Sequence, residues 1–217
     1  MRTKNPMRGL LTFAYYNLSG SANISILISL LLAIVFIVTG ADMLFVMVAM
    51  VATVSLPMTA IMGMAAKDGK WEKFQLTLPV TRGDVLRVQY ITIVYLSVVA
   101  AAIIMVAVVG GVLTQHEMFA SGIGRAALDT LYAFGTPLMM TGLSFPLASS
   151  NFGKERQGAM LNISIMVSVF IVMIVPNVAG WLGVPLSVAS AGYFGIAVVV
   201  FVGSYFVTRG MYARSDF

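Results

Sequence analysis

Few side chains in this sequence could carry chemistry, and their spacing excludes most of it. There is no cysteine and a single histidine, His116. Thiolate and multi-histidine metal sites therefore lack donors, and no metal is expected. Gly69-Lys70 is the nearest approach to a phosphate loop. Trp71 follows that lysine, and Met64 stands where the first glycine would be, so the chain cannot cradle a nucleotide in that way. Ser144 sits in Gly142-Leu143-Ser144-Phe145-Pro146, which lacks the second glycine of a nucleophile elbow. Asp129 lies four residues after Arg125 and reads as half of an ion pair at a helix end. No pair of acids is sunk in an apolar run, as a proton-coupled carrier would need. No catalytic residue is assigned, and the chain does not read as an enzyme.

Two polar stretches stand out. Residues 65–87 hold eight charged side chains, among them Asp68, Lys70, Glu72, Lys73 and Arg82, interleaved with Trp71, Phe74, Leu76 and Leu78. Trp71 and Phe74, three apart, share one face of a helix. A short helix lying flat fits this pattern, with one apolar side and one charged side toward the cytoplasm. An amphipathic loop anchored by Trp71 at the lipid headgroups fits it as well. Pro79 ends the element. Thr81 and Asp84 then have capping-box spacing at the start of the next helix. The second stretch, 149–158, contains Phe152, Lys154, Glu155 and Arg156 and reads by itself as a solvated turn.

These stretches are positioned by apolar helices. Hydrophobic residues make up 59% of the 217-residue chain and charged residues only 10%, against about 25% in an ordinary soluble domain. A bilayer core of about 30 Å needs about 20 apolar residues as helix. Six stretches meet that test, at 22–38, 43–64, 88–113, 126–147, 159–175 and 184–207. Strands of that length are excluded because unpaired backbone groups cost several kcal/mol each in lipid. All 13 Lys and Arg residues except Arg125 fall in the two termini and the two polar stretches. That bias places both termini in the cytoplasm. The net charge of +5 is then a topology signal and not a nucleic-acid face. The basic start precedes the first apolar run by too many residues for a cleaved signal peptide. Residues 6–18 have the mixture expected of a short amphipathic helix at the membrane interface, with a disordered basic tail as the alternative. The expected fold is all-α, one integral membrane domain over residues 1–217.

Within the expected spans, Asn162, Ser164 and Ser168 place polar atoms in span five, where they either bond between helices or line a path. Met47 and Met50 supply soft apolar surface on span two. Pro57 and Pro137 are expected to kink spans two and four. Ser187, Ala191 and Gly195 form a small-residue face on span six that suits close helix contact.

The 65–87 stretch, with Asp68, Trp71 and Thr77-Leu78-Pro79-Val80-Thr81-Arg82 leading into a long span, resembles permeases of type-two ABC exporters. The related bacterial proteins export peptides or confer antibiotic resistance. Pro146 followed by Phe152-Gly153-Lys154-Glu155-Arg156 is similar to a second pattern of that family. Gln89 departs from it, since relatives often carry lysine there. The resemblance implies six spans in a bacterial inner or plasma membrane, with two permease subunits, identical or related, forming the path. Each would dock a separate ATPase that binds ATP and magnesium, with no cofactor on this chain. The docking residues would be Asp68, Lys70, Trp71, Glu72, Lys73, Phe74, Leu78, Pro79 and Arg82, with Phe152, Lys154 and Arg156 adding contacts. Met47, Met50, Asn162, Ser164 and Ser168 would face the path of an amphipathic or antimicrobial peptide, or another hydrophobic cargo. A secondary carrier, or a membrane scaffold or sensor partner, is the alternative.

Overall fold

A computed structural model of the chain describes residues 6–58, 81–115, 123–148 and 180–214, together with 162, 163, 166, 167, 170, 174, 177 and 178. The described elements are helical. They are α1 (Pro6–Thr39), α2 (Asp42–Met50), α3 (Arg82–Leu113), α4 (Ile123–Asp129), α5 (Leu131–Ala148) and α6 (Leu186–Arg214). A π-helical turn, Val51–Ser55, continues α2. Among the described residues, three helical stretches are long and apolar enough to cross a membrane: Ser19–Thr39, Gly83–Leu113 and Leu186–Met211. Met43–Met58 is a shorter apolar helix.

Helix ends fall where local chemistry sets them. α1 stops at Gly40, whose positive φ of 69° lets its N–H reach the Phe36 carbonyl at 2.8 Å. α3 begins at the Thr81–Asp84 capping box that the spacing predicted. α6 begins after Pro185, whose carbonyl accepts from Val188 and Ala189 at 3.0 and 3.2 Å.

Several expectations need correction. Residues 6–18 do not form a separate interfacial helix, because α1 runs unbroken from Pro6 to Thr39. Nothing between them interrupts it, and Ser19 and Gly20 stay helical, with Ser19 Oγ donating to the Tyr16 carbonyl. At 1.5 Å per residue the helix is about 50 Å long, more than a hydrocarbon core needs. The fourth span is broken at Thr130, where the Thr130 hydroxyl satisfies the Ala126 carbonyl at 2.9 Å, and Pro137 lies inside α5. In the fifth span, every described residue up to Leu182 is helical, past the expected end at 175. α6 continues beyond 207 to Arg214.

The helix directions follow from side-chain contacts. Ile37 fills the space a Cβ on Gly110 would take, so α1 and α3 lie side by side with their C-terminal ends together. Gly135 meets Tyr193 and Phe194, and Gly142 meets Val200 and Phe201, so α5 and α6 also run parallel. The C-terminal parts of α5 and α6 pack on the N-terminal part of α3 through Tyr90. The pair α5–α6 therefore runs opposite to α1–α3.

The core is built from Phe36, Phe45, Leu56, Leu86, Ile93, Ile104 and Met140. Large apolar side chains such as Leu31, Val98, Val199 and Phe206 face outward, whereas Ser29, Thr53, Ser97, Thr136, Thr141 and Ser144 are buried. Each of these six hydroxyls donates to the backbone carbonyl four residues earlier. Apolar outside and satisfied hydroxyls inside is the arrangement a lipid solvent favours.

Candidate functional site

The region of interest lies where α3 begins. Thr81 Oγ1 accepts from the Asp84 N–H at 3.2 Å and donates to Asp84 Oδ2 at 2.7 Å, and the Thr81 N–H reaches Oδ2 at 3.2 Å. These bonds occupy donors that a helix N-terminus leaves unpaired, and the carboxylate sits favourably against the helix dipole. One turn on, the exposed Arg87 guanidinium lies 3.6 Å from Asp84 and also interacts with the Tyr205 hydroxyl of α6. The start of α3 is thereby fixed both to itself and to a distant helix.

Tyr90, one turn deeper, is buried and joins three helices. Its hydroxyl bonds Ser204 Oγ at 2.9 Å and Thr208 Oγ1 at 3.3 Å, both on α6. Its ring centroid lies 4.8 Å from Phe145 on α5, and 5.2 and 5.3 Å from Phe201 and Tyr205 on α6. Tilted and edge-on ring pairs at this spacing contribute beyond simple burial, by about 0.5–1.5 kcal/mol each. Ser204 also donates to the Phe201 carbonyl at 2.8 Å, so Tyr90 donates to Ser204 and, its single proton used, accepts from Thr208.

The π turn of α2 lies deeper in the bundle. Pro57 has no N–H to offer the carbonyl four residues earlier, and the preceding turn widens in place of a simple kink. Thr53 donates to the Ala49 carbonyl at 2.7 Å, and Ser55 donates to the Val51 carbonyl. Ala52, Thr53 and Leu56 are buried, and the turn packs against α1, α3 and α5 together.

The predicted site residues fare unevenly. Asp68, Lys70, Trp71, Glu72, Lys73, Phe74, Leu78, Pro79, Phe152, Lys154, Arg156, Ser164 and Ser168 lie outside the described residues, as does the side chain of Arg82, the first residue of α3. The Asp129 side chain, expected to pair with Arg125, also lies outside them. Met47 faces outward from α2, Met50 is half-buried and Asn162 is exposed. On α6, Ala191 and Gly195 are exposed, and a Cβ on Gly195 would meet nothing. The small-residue face of span six therefore does not make the close helix contact within this chain. Gly135 and Gly142 of α5 make it instead, seven residues apart and so on one face. Sequence reasoning missed both that pair and the Tyr90 cluster. The Phe201–Tyr205 and Ser204–Thr208 spacings, each four residues, were the available signal for an inward face of α6.

The family model described as ABC-2 family transporter protein matches residues 14–213. No curated protein and no solved structure matches the chain.

Proposed function

The chain belongs to the ABC-2 family of transporter proteins, and on that premise we propose that it is the permease subunit of an ATP-driven exporter of amphipathic or antimicrobial peptides or a similar hydrophobic cargo. Membership of that family makes it a multi-pass membrane component of an ABC transporter, and ATP hydrolysis is proposed to lie on a partner ATPase. The match over nearly the whole chain is the observation that carries the permease part of this reading. The sequence lacks a phosphate loop of its own, which fits the same division of labour.

Helix directions support six crossings. α1 and α3 run together, so a return crossing is proposed between Thr39 and Arg82. α5 and α6 run together, so a second return crossing is proposed between Ala148 and Leu186. With Lys and Arg concentrated at one end, both termini face the cytoplasm. The start of α3 and the end of α5 then lie on that side, and the polar stretches that adjoin them are proposed to dock the ATPase. Two such permeases, identical or related, would enclose the path in a bacterial inner or plasma membrane. The exposed Met47 and Asn162, with Met50, Ser164 and Ser168, are proposed to face that path. An apolar, methionine-bearing surface suits a cargo entering from the lipid.

The coupling assignment is tested by combining Trp71→Ala with Lys73→Glu. The variant should insert normally and lose at least about tenfold in ATPase association, the loss of one buried aromatic anchor. Co-purification of the ATPase at the unsubstituted ratio would overturn the assignment.

A further inference from the structure

We propose that Tyr90 is a positioning residue that clamps the adjacent ends of α3, α5 and α6 into one block, through which movement of the two docking loops reaches the far end of α6. The proposal rests on the permease reading above for the source of that movement. The clamp itself rests on contacts within the chain.

Both docking loops end on the clamp. The first leads directly into Thr81 and the capping box, one turn before Arg87 and two before Tyr90. The second leaves α5 just beyond Phe145, whose ring stacks against Tyr90. α6 is held at four consecutive inward positions, Phe201, Ser204, Tyr205 and Thr208. In an apolar surrounding the Tyr90 hydroxyl has no water to exchange with, so separating α3 from α6 would leave a polar group unpaired. The three helix ends therefore resist moving relative to one another.

The joints lie elsewhere. α3 carries no proline and no break from Arg82 to Leu113. α5 has Pro137 farther from the clamp than Phe145, and the helix breaks at Thr130 beyond it; its second proline, Pro146, adjoins Phe145 two residues before the helix ends at Ala148. α2 has its π turn against the same helices. A push on either loop therefore moves the clamped block as a unit, and bending falls at Thr130, Pro137 and the π turn.

The chain has no cysteine, so spin labels can be placed on the full-length protein in complex with its ATPase in nanodiscs. One pair, Ile91→Cys with Val207→Cys, lies on exposed positions beside the clamp, and a second, Leu128→Cys with Val188→Cys, lies on exposed positions at the far end, where the joint at Thr130 separates α4 from the clamped block. On adding ATP with vanadate, the near pair should keep one narrow distance and the far pair should shift. Tyr90→Phe keeps the ring and removes the hydroxyl. It should broaden the near-pair distances and lower the ratio of shifted to unshifted far-pair population by about three- to tenfold, the scale of one lost hydrogen bond, while ATP hydrolysis continues. Ser204→Ala with Thr208→Val should reproduce both effects from the α6 side. A near pair that moves with nucleotide, a far pair that never shifts, or a Tyr90→Phe protein identical to the unsubstituted one would each overturn the clamp. Failure of any ATPase to accompany the unsubstituted chain would overturn the permease reading instead. The near-pair distances measured on the chain alone would still decide whether Tyr90 holds the block.

Discussion

α3 and α5 cross the same core and are built to opposite ends. α3 is a 32-residue helix with a capping box at its start and no proline. α5 is 18 residues long, contains Pro137 and Pro146, and follows a break at Thr130. Three buried hydroxyls, Thr136, Thr141 and Ser144, bond back to its own carbonyls. Such bonds, like the missing proline N–H, weaken the ladder that keeps a helix straight. What α5 lacks in backbone bonding it makes up by proximity, since Gly135 and Gly142 let α6 pack against its main chain. One helix is a strut that neighbours lean on. The other is jointed and keeps its place because a neighbour lies close.

Substitutions can break this contrast. The largest effect is expected from Gly142→Ala. The added Cβ would lie 2.9 Å from Val200 Cγ1 and 3.2 Å from the Phe201 backbone. Backbone must then shift, and overpacking of this kind costs about 1–3 kcal/mol, more than the gain in helix propensity. Thermal unfolding followed by circular dichroism in nanodiscs should show a lowered midpoint. An unchanged midpoint would mean that α5 does not depend on its close approach to α6.

Thr81→Ala should cost about 1 kcal/mol by removing the cap of α3. Its signature is local, with faster hydrogen exchange confined to the first turns of the helix. Exchange accelerated along the whole of α3 would mean that the strut is held by its cap more than by its packing.

Pro137→Ala sharpens the comparison from the other side. It returns an N–H that can bond the Ala133 carbonyl, a net gain of about 0.5–1 kcal/mol. Amide exchange in α5 should slow, and the helix should resemble α3 more closely. If exchange does not slow, the joint in α5 lies at Thr130 alone.

The sequence by itself determined a great deal about this protein. Lengths of apolar runs are set by the thickness of the bilayer, and capping residues act on their own backbone. Both are local, so the long spans and the Thr81–Asp84 box were legible residue by residue. The family resemblance was legible because its motif is a continuous stretch. Proline was readable as a disturbance but not as its outcome. A π turn packed against three helices precedes Pro57, and the fourth span broke at Thr130 ahead of its proline. The tertiary structure alone decided which face of each helix met another. A lipid solvent favours apolar residues on every side, so hydrophobicity carries no information about inside and outside. The face of α6 bearing Ala191 and Gly195 therefore looked as good for packing as the one bearing Ser204 and Thr208. Only the position of Tyr90, more than a hundred residues away in the chain, distinguished them, because a buried hydroxyl in an apolar medium must find a partner.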